Sequence, residues 1–139
     1  MKKRLLLIGI ILVVTGCSSS FTFSEINAES VNNNVQEFIS NIEVENGIYL
    51  YLDGKKAAYI FLNGIYVAQG SDAIYFSDFN VNSQRDTLNI FFNQEYDSDY
   101  SNANLNYQVL YEIKTGKVYD SINIFCNGKP TSFDIIAGN

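Results

Sequence analysis

A mainly β fold is what this sequence predicts, an antiparallel β-sandwich or barrel-like sheet preceded by one short N-terminal helix. Two observations carry the prediction. The hydrophobic period changes after Glu43 from helical to alternating, and from there turn dipeptides arrive at short intervals: Asn46-Gly47, Asp53-Gly54, Asn63-Gly64, Gln69-Gly70, Thr115-Gly116 and Asn127-Gly128. The runs between them are rich in Ile, Val, Tyr and Phe, side chains that suit a pleated, half-buried surface. Such punctuation reads as hairpins with tight turns.

At the N-terminus, Lys2, Lys3 and Arg4 precede an apolar run, Leu5 to Val14, broken only by Gly9. This is the pattern of a secretory leader, and it is too short for a resident membrane span, which needs roughly 20 apolar residues. Val14-Thr15-Gly16-Cys17 follows. The four residues resemble the lipobox of bacterial lipoproteins. That resemblance implies that Cys17 carries a thioether-linked diacylglyceryl group, that acyl chains such as palmitate supply the anchor, and that cleavage falls between Gly16 and Cys17. It further implies a lipid anchor in the cell membrane on its extracytoplasmic face. Ser18 is compatible with outer-membrane sorting in a diderm host, whereas the Asn-, Ile- and Tyr-rich composition fits an AT-rich monoderm.

On this reading residues 1–16 are a signal peptide, 17–29 are the lipidated cysteine with a flexible tether, and 30–139 form a single β domain. The Ser-rich start of the tether lifts the domain from the bilayer. Phe21, Phe23 and Ile26 are its apolar exceptions, placed either on the domain or in the lipid interface. Val31, Val35, Phe38, Ile39 and Ile42 then make the stripe of an amphipathic helix over about 31–41, with Ser30 as its N-cap. Strands are expected at Gly47–Leu52, Ala57–Asn63, Ile65–Ala68, Ala73–Val81, Thr87–Asn93, Tyr107–Ile113, Tyr119–Cys126 and Ser132–Ile136. The echo of Asn46-Gly47-Ile48-Tyr49 in Asn63-Gly64-Ile65-Tyr66 is too short for a repeat and is attributed to hairpin chemistry.

Removing the leader takes away three cations and leaves six against fifteen carboxylates, a net charge of −9. That balance argues against nucleic acid or an anionic membrane surface as a partner, since both are approached through Lys/Arg patches. A cationic partner or a neutral ligand fits better. Cys126 is the only other cysteine, so no internal disulfide is available and stability must come from packing. A buried, unreactive thiol is the expectation for it.

The residue inventory speaks against enzyme chemistry and calls for no cofactor. There is no His, which removes His-dependent triads, the Cys-His pair and the imidazole zinc site. The stretch Glu95 to Asn102 opens like a calcium loop, with Glu95, Asp97, Asp99 and Ser101 as candidate ligands. It departs from that pattern at Asn102, where the turn wants Gly, and at Gln108, where a bidentate Glu belongs. A solvated hairpin loop is the preferred reading. Tyr49, Tyr51 and Tyr66 form a candidate binding surface if their strands have a wet face.

From Ala73 to Gly128 the order of elements resembles the C-terminal domain of secreted protease-complex B subunits. This resemblance implies a β module that binds another protein, with no catalytic residues to carry across. The function expected is therefore a non-enzymatic, lipid-anchored module that recruits another extracytoplasmic protein. The alternative is a ligand-binding module for a cell-wall polymer or a cation.

Overall fold

The computed structural model describes residues 21–99 and 101–138; Gly16, Cys17 and Ser18 lie outside them. Among the described residues nine strands form two sheets: β1 (Thr22–Ile26), β2 (Gly47–Asp53), β3 (Ala57–Asn63), β4 (Ala73–Gln84), β5 (Thr87–Asp97), β6 (Gln108–Lys114), β7 (Ser121–Cys126), β8 (Lys129–Thr131) and β9 (Ile135–Gly138). One sheet has the order β1-β6-β3-β2-β9 and the other β4-β5-β7-β8. Among the described residues one α-helix, α1 (Asn33–Ile42), covers the outer face of the first sheet. The sheets face each other without closing into a barrel. Most pairs are antiparallel, but β2–β9 and β5–β7 are parallel; alternation of side chains is the same for both, so sequence does not distinguish them.

Leu50, Ile60, Leu62, Leu88, Ile90, Phe92 and Ile113 are at most 2 % exposed and fill the space between the sheets. Each such side chain stabilises by about 1.5–3 kcal/mol. The two sheets are further tied by a bulge in β4 between Ser77 and Asn80, where Asp78 takes φ 53°. Phe79 there stacks on Tyr111 of β6 at 3.7 Å between ring centres and meets Phe23 of β1 edge-on at 5.7 Å.

The stretch expected to be a tether is a strand over residues 22–26. β1 pairs with β6, Thr22 opposite Lys114 and Ile26 opposite Leu110. Phe21 and Ile26 pack on the two cores, so docking is the correct alternative for them. Asn32, in place of Ser30, caps α1: its Oδ1 accepts the Val35 N–H at 3.1 Å, while Ser30 closes a 3₁₀ turn, Ala28–Ser30. An Asn at this position serves as well as Ser.

Val35, Ile39 and Ile42 of α1 bury their stripe against Tyr49, Tyr51, Ala57, Tyr59, Phe61 and Leu110. This covers the face that an outward surface of Tyr49 and Tyr51 would need to leave wet. Tyrosine suits the role because its ring is apolar while its hydroxyl reaches a polar rim; the Tyr49 hydroxyl donates to the Glu45 carbonyl at 2.9 Å. The Tyr59 phenol is pushed up to about 12 by burial first, then by its hydrogen bond to Glu112 and the negative charge of Glu112 and Asp53. The folded state thus keeps a proton that the unfolded chain releases near pH 10.0. Stability is complete below that pH and declines as pH rises toward about 12. Urea midpoints are expected to fall across this window and to fall less in Tyr59→Phe; an identical decline in both proteins would disprove the assignment.

Candidate binding surface

Chain direction brings the C-terminal ends of β3 and β5 and the N-terminal ends of β2, β4 and β6 to one end of the sandwich. Here residues 64–72 cross from the first sheet to the second. The expected strand Ile65–Ala68 is absent: these residues form the crossover, and their apolar side chains are exposed. Ile65, Tyr66 and Val67 are 52 %, 51 % and 38 % exposed, with Val44 and Tyr96 also outward at this end.

The crossover is held by two asparagines. Asn63, only 2 % exposed, donates through Nδ2 to the Glu43 and Glu45 carbonyls at 3.1 and 2.8 Å. Its Oδ1 accepts the Ile65 N–H and the Gln108 amide, both at 3.2 Å. Asn46 pairs its side-chain amide with the backbone of Tyr66, accepting the N–H at 2.9 Å and donating to the carbonyl. These contacts replace a strand ladder. Gly64 allows the chain to pass close to β4, since a Cβ there would lie 2.7 Å from the Ile74 carbonyl oxygen. Neither Asn46-Gly47 nor Asn63-Gly64 is a tight turn, so hairpin chemistry does not explain the echo. Asn127-Gly128, with φ 53° and 77°, does make such a turn between β7 and β8.

Open depressions lie on both sides of the crossover. One of about 540 Å³ is lined by Ile65, Val67, Ala68, Gln69, Ala73 and Tyr107 among others. The other, about 550 Å³, is lined by Asn46, Tyr66, Ser71, Asp72, Ile74 and Tyr96 among others. Glu43, Glu45, Asp72, Glu95, Asp97, Asp99 and Asp134 surround this end, the last through its bonds to the Ile48 backbone.

Of the sequence candidates, Tyr49 and Tyr51 are 3 % and 6 % exposed beneath α1, so they form no outward platform. Tyr66 alone of the three is on the surface. Glu95 and Asp97 belong to β5 and not to a loop, because the β4–β5 ladder continues to Ala73 opposite Asp97. Their carboxylates are engaged locally: Glu95 accepts the Ser77 hydroxyl at 3.0 Å, and Asp97 accepts the Asp99 N–H at 2.8 Å. Asp99 accepts the Ser101 hydroxyl and N–H at 2.7 and 3.0 Å, which lowers its carboxyl below the ordinary range. Among the described residues no three acidic or thiol groups converge as metal ligands. Desolvation, Glu95 and Asp97 hold the Tyr75 phenol above its usual range, and desolvation with Asp97 and Asp99 does the same for Tyr107. Burial likewise raises the Cys126 thiol, the opposite of what a reactive cysteine needs.

The residues that sequence reading missed are Ile65, Val67, Asn46 and Asn63. The repeated Asn-Gly-Ile-Tyr was a signal for them, since both asparagines have the same task of holding chain ends at this surface.

Residues 1–18 match the model of the prokaryotic membrane lipoprotein lipid attachment site. Comparison with curated proteins and with solved structures gives no match, and the likeness of Ala73–Gly128 to protease-complex B subunits finds no support. Among the described residues no helix is long and apolar enough to cross a membrane. The chain carries a lipoprotein attachment signal and is a membrane-anchored lipoprotein.

Proposed function

We propose that this lipoprotein is a non-enzymatic module on the extracytoplasmic face that recruits another protein through the crossover Ile65–Val67. The observation that carries the reading is a run of three outward apolar residues whose backbone is fixed by Asn46 and Asn63. A prearranged apolar ridge loses little conformational freedom on binding, and carboxylates ring it. A partner segment with apolar residues flanked by Lys or Arg matches both properties.

A second reading, binding of a neutral or cationic cell-wall polymer, draws on Tyr107 in the wall of the first depression beside Asp97 and Asp99. The other lining residues there are mostly apolar, which favours a protein. Cross-linking on native membranes decides between them. The lipidated protein is expected to trap one protein species, and Ile65→Asp with Val67→Asp to lose it. Both sites are exposed, so the fold should change by only about 0.5 kcal/mol. Undiminished trapping by the folded double variant would remove the crossover from the interface.

A further inference from the structure

We propose that the opposite end of the sandwich is a docking face for the anionic phospholipid headgroups of the membrane that holds the anchor. This rests on lipid attachment at Cys17 and is independent of what the crossover binds. Four residue steps separate Cys17 from Phe21, so whatever path they take the cysteine lies within about 14 Å of the first described residue. β1 begins beside it, with Thr22 opposite Lys114 at the end of β6. The turn after β2, the turn after β4 and the turn after β6 all lie at this end.

Those three turns, with the last residue of β6, hold five of the six cations that follow Cys17: Lys55 and Lys56, Arg85, and Lys114 with Lys117. They are joined into one surface. The Thr115 N–H and hydroxyl donate to the Lys56 and Lys55 carbonyls, both at 3.3 Å. Lys117 Nζ donates to the Arg85 carbonyl at 3.1 Å and pairs with Asp86 at 3.3 Å. Val118, 59 % exposed, stands among them as an apolar contact for the headgroup region. Lys129, in the β7–β8 hairpin, is the one cation elsewhere.

The carboxylates at this end are Asp53, Asp86, Glu112 and Asp120, with Glu29 beside the start of α1, where Asn32 donates to Asp53 at 3.2 Å. Asp86 is answered by Lys117, and Glu112 has Lys114 at 3.9 Å. Five cations therefore face five carboxylates here, against one cation and ten carboxylates over the rest of residues 17–139. Net charge alone had argued against an anionic membrane surface. The structure separates the charges along the strands, and a leaflet's field decays over about 10 Å. Seven-residue strands such as β2 and β3 are about 23 Å long, so the acidic end stands beyond that field while the basic end lies within it. The same orientation turns the crossover outward.

The lysines themselves report the contact. Lipidated protein is reconstituted in vesicles of phosphatidylcholine alone or with about 30 % phosphatidylglycerol, collected by flotation, and treated with a water-soluble acetylating reagent; each lysine is then read by mass spectrometry. Anionic lipid is expected to slow acetylation of Lys55, Lys56 and Lys114 about fivefold, the factor set by one surface cation's attraction to an anionic leaflet. Lys129 should be unchanged, and protection should vanish in about 1 M salt, where the screening length is roughly 3 Å. Floating protein labelled equally on both vesicles, or protected equally at Lys129, overturns the docking face and leaves the anchor intact. Protein that does not float overturns the anchor on which the face depends. Equal protection by soluble polyglycerophosphate beside neutral vesicles would also overturn it, by showing a face for a wall polymer.

Discussion

Cys17→Ser is expected to abolish acylation and to leave the protein either unprocessed, with its leader attached, or shed from the membrane. The lipid is joined through a thioether, and serine has no thiol to form it. Two acyl chains contribute about 0.8 kcal/mol for each buried CH₂, whereas the basic end offers about 1 kcal/mol per cation. Even five such contacts fall well short of two chains of ordinary length, so the basic end orients an anchored domain and does not hold a free one. Fractionation of the variant, with mass spectrometry of the native N-terminus, checks this. Acylation that survives in Cys17→Ser, or a cleaved and unmodified Cys17 in the native protein, would sink the lipid anchor.

Asn63→Ala is expected to destabilise the fold by about 3 kcal/mol. Alanine would leave the Glu43 and Glu45 carbonyls and the Ile65 N–H without their partner, and each buried group so stranded costs about 1–3 kcal/mol. Water reaches some of these groups, which keeps the sum near the lower bound. Asn46→Ala removes bonds at an exposed position and should cost about 1 kcal/mol or less, while freeing the backbone of Tyr66. Urea unfolding of the two variants gives the comparison. A loss under about 1 kcal/mol in Asn63→Ala would mean that the crossover is held by packing and not by this side chain.

Local chemistry determined much of this protein. The leader and the box ending in Cys17 are contiguous, and their residues need no tertiary partner to be recognised. The stripe of α1 and the alternation of Leu88, Ile90 and Phe92 in β5 likewise report which face is apolar, so the fold class follows from them. What alternation leaves open is what lies opposite an apolar face. Tyr49 and Tyr51 have the right parity, yet only packing of α1 makes their side of β2 an interior. Ile65-Tyr66-Val67 has the composition of a strand and becomes an exposed crossover because Asn46 and Asn63 take its backbone bonds. That one misread segment also conceals the basic end. Alternate turns of a meander fall at the same end, so one extra strand places Lys55 and Lys56 opposite Arg85 and Lys117 and scatters the cations. With the crossover in its place they gather beside Thr22. Sequence by itself determined the charge of the mature chain and the means of its attachment; tertiary structure decided where that charge lies, because the end a turn occupies depends on every strand before it.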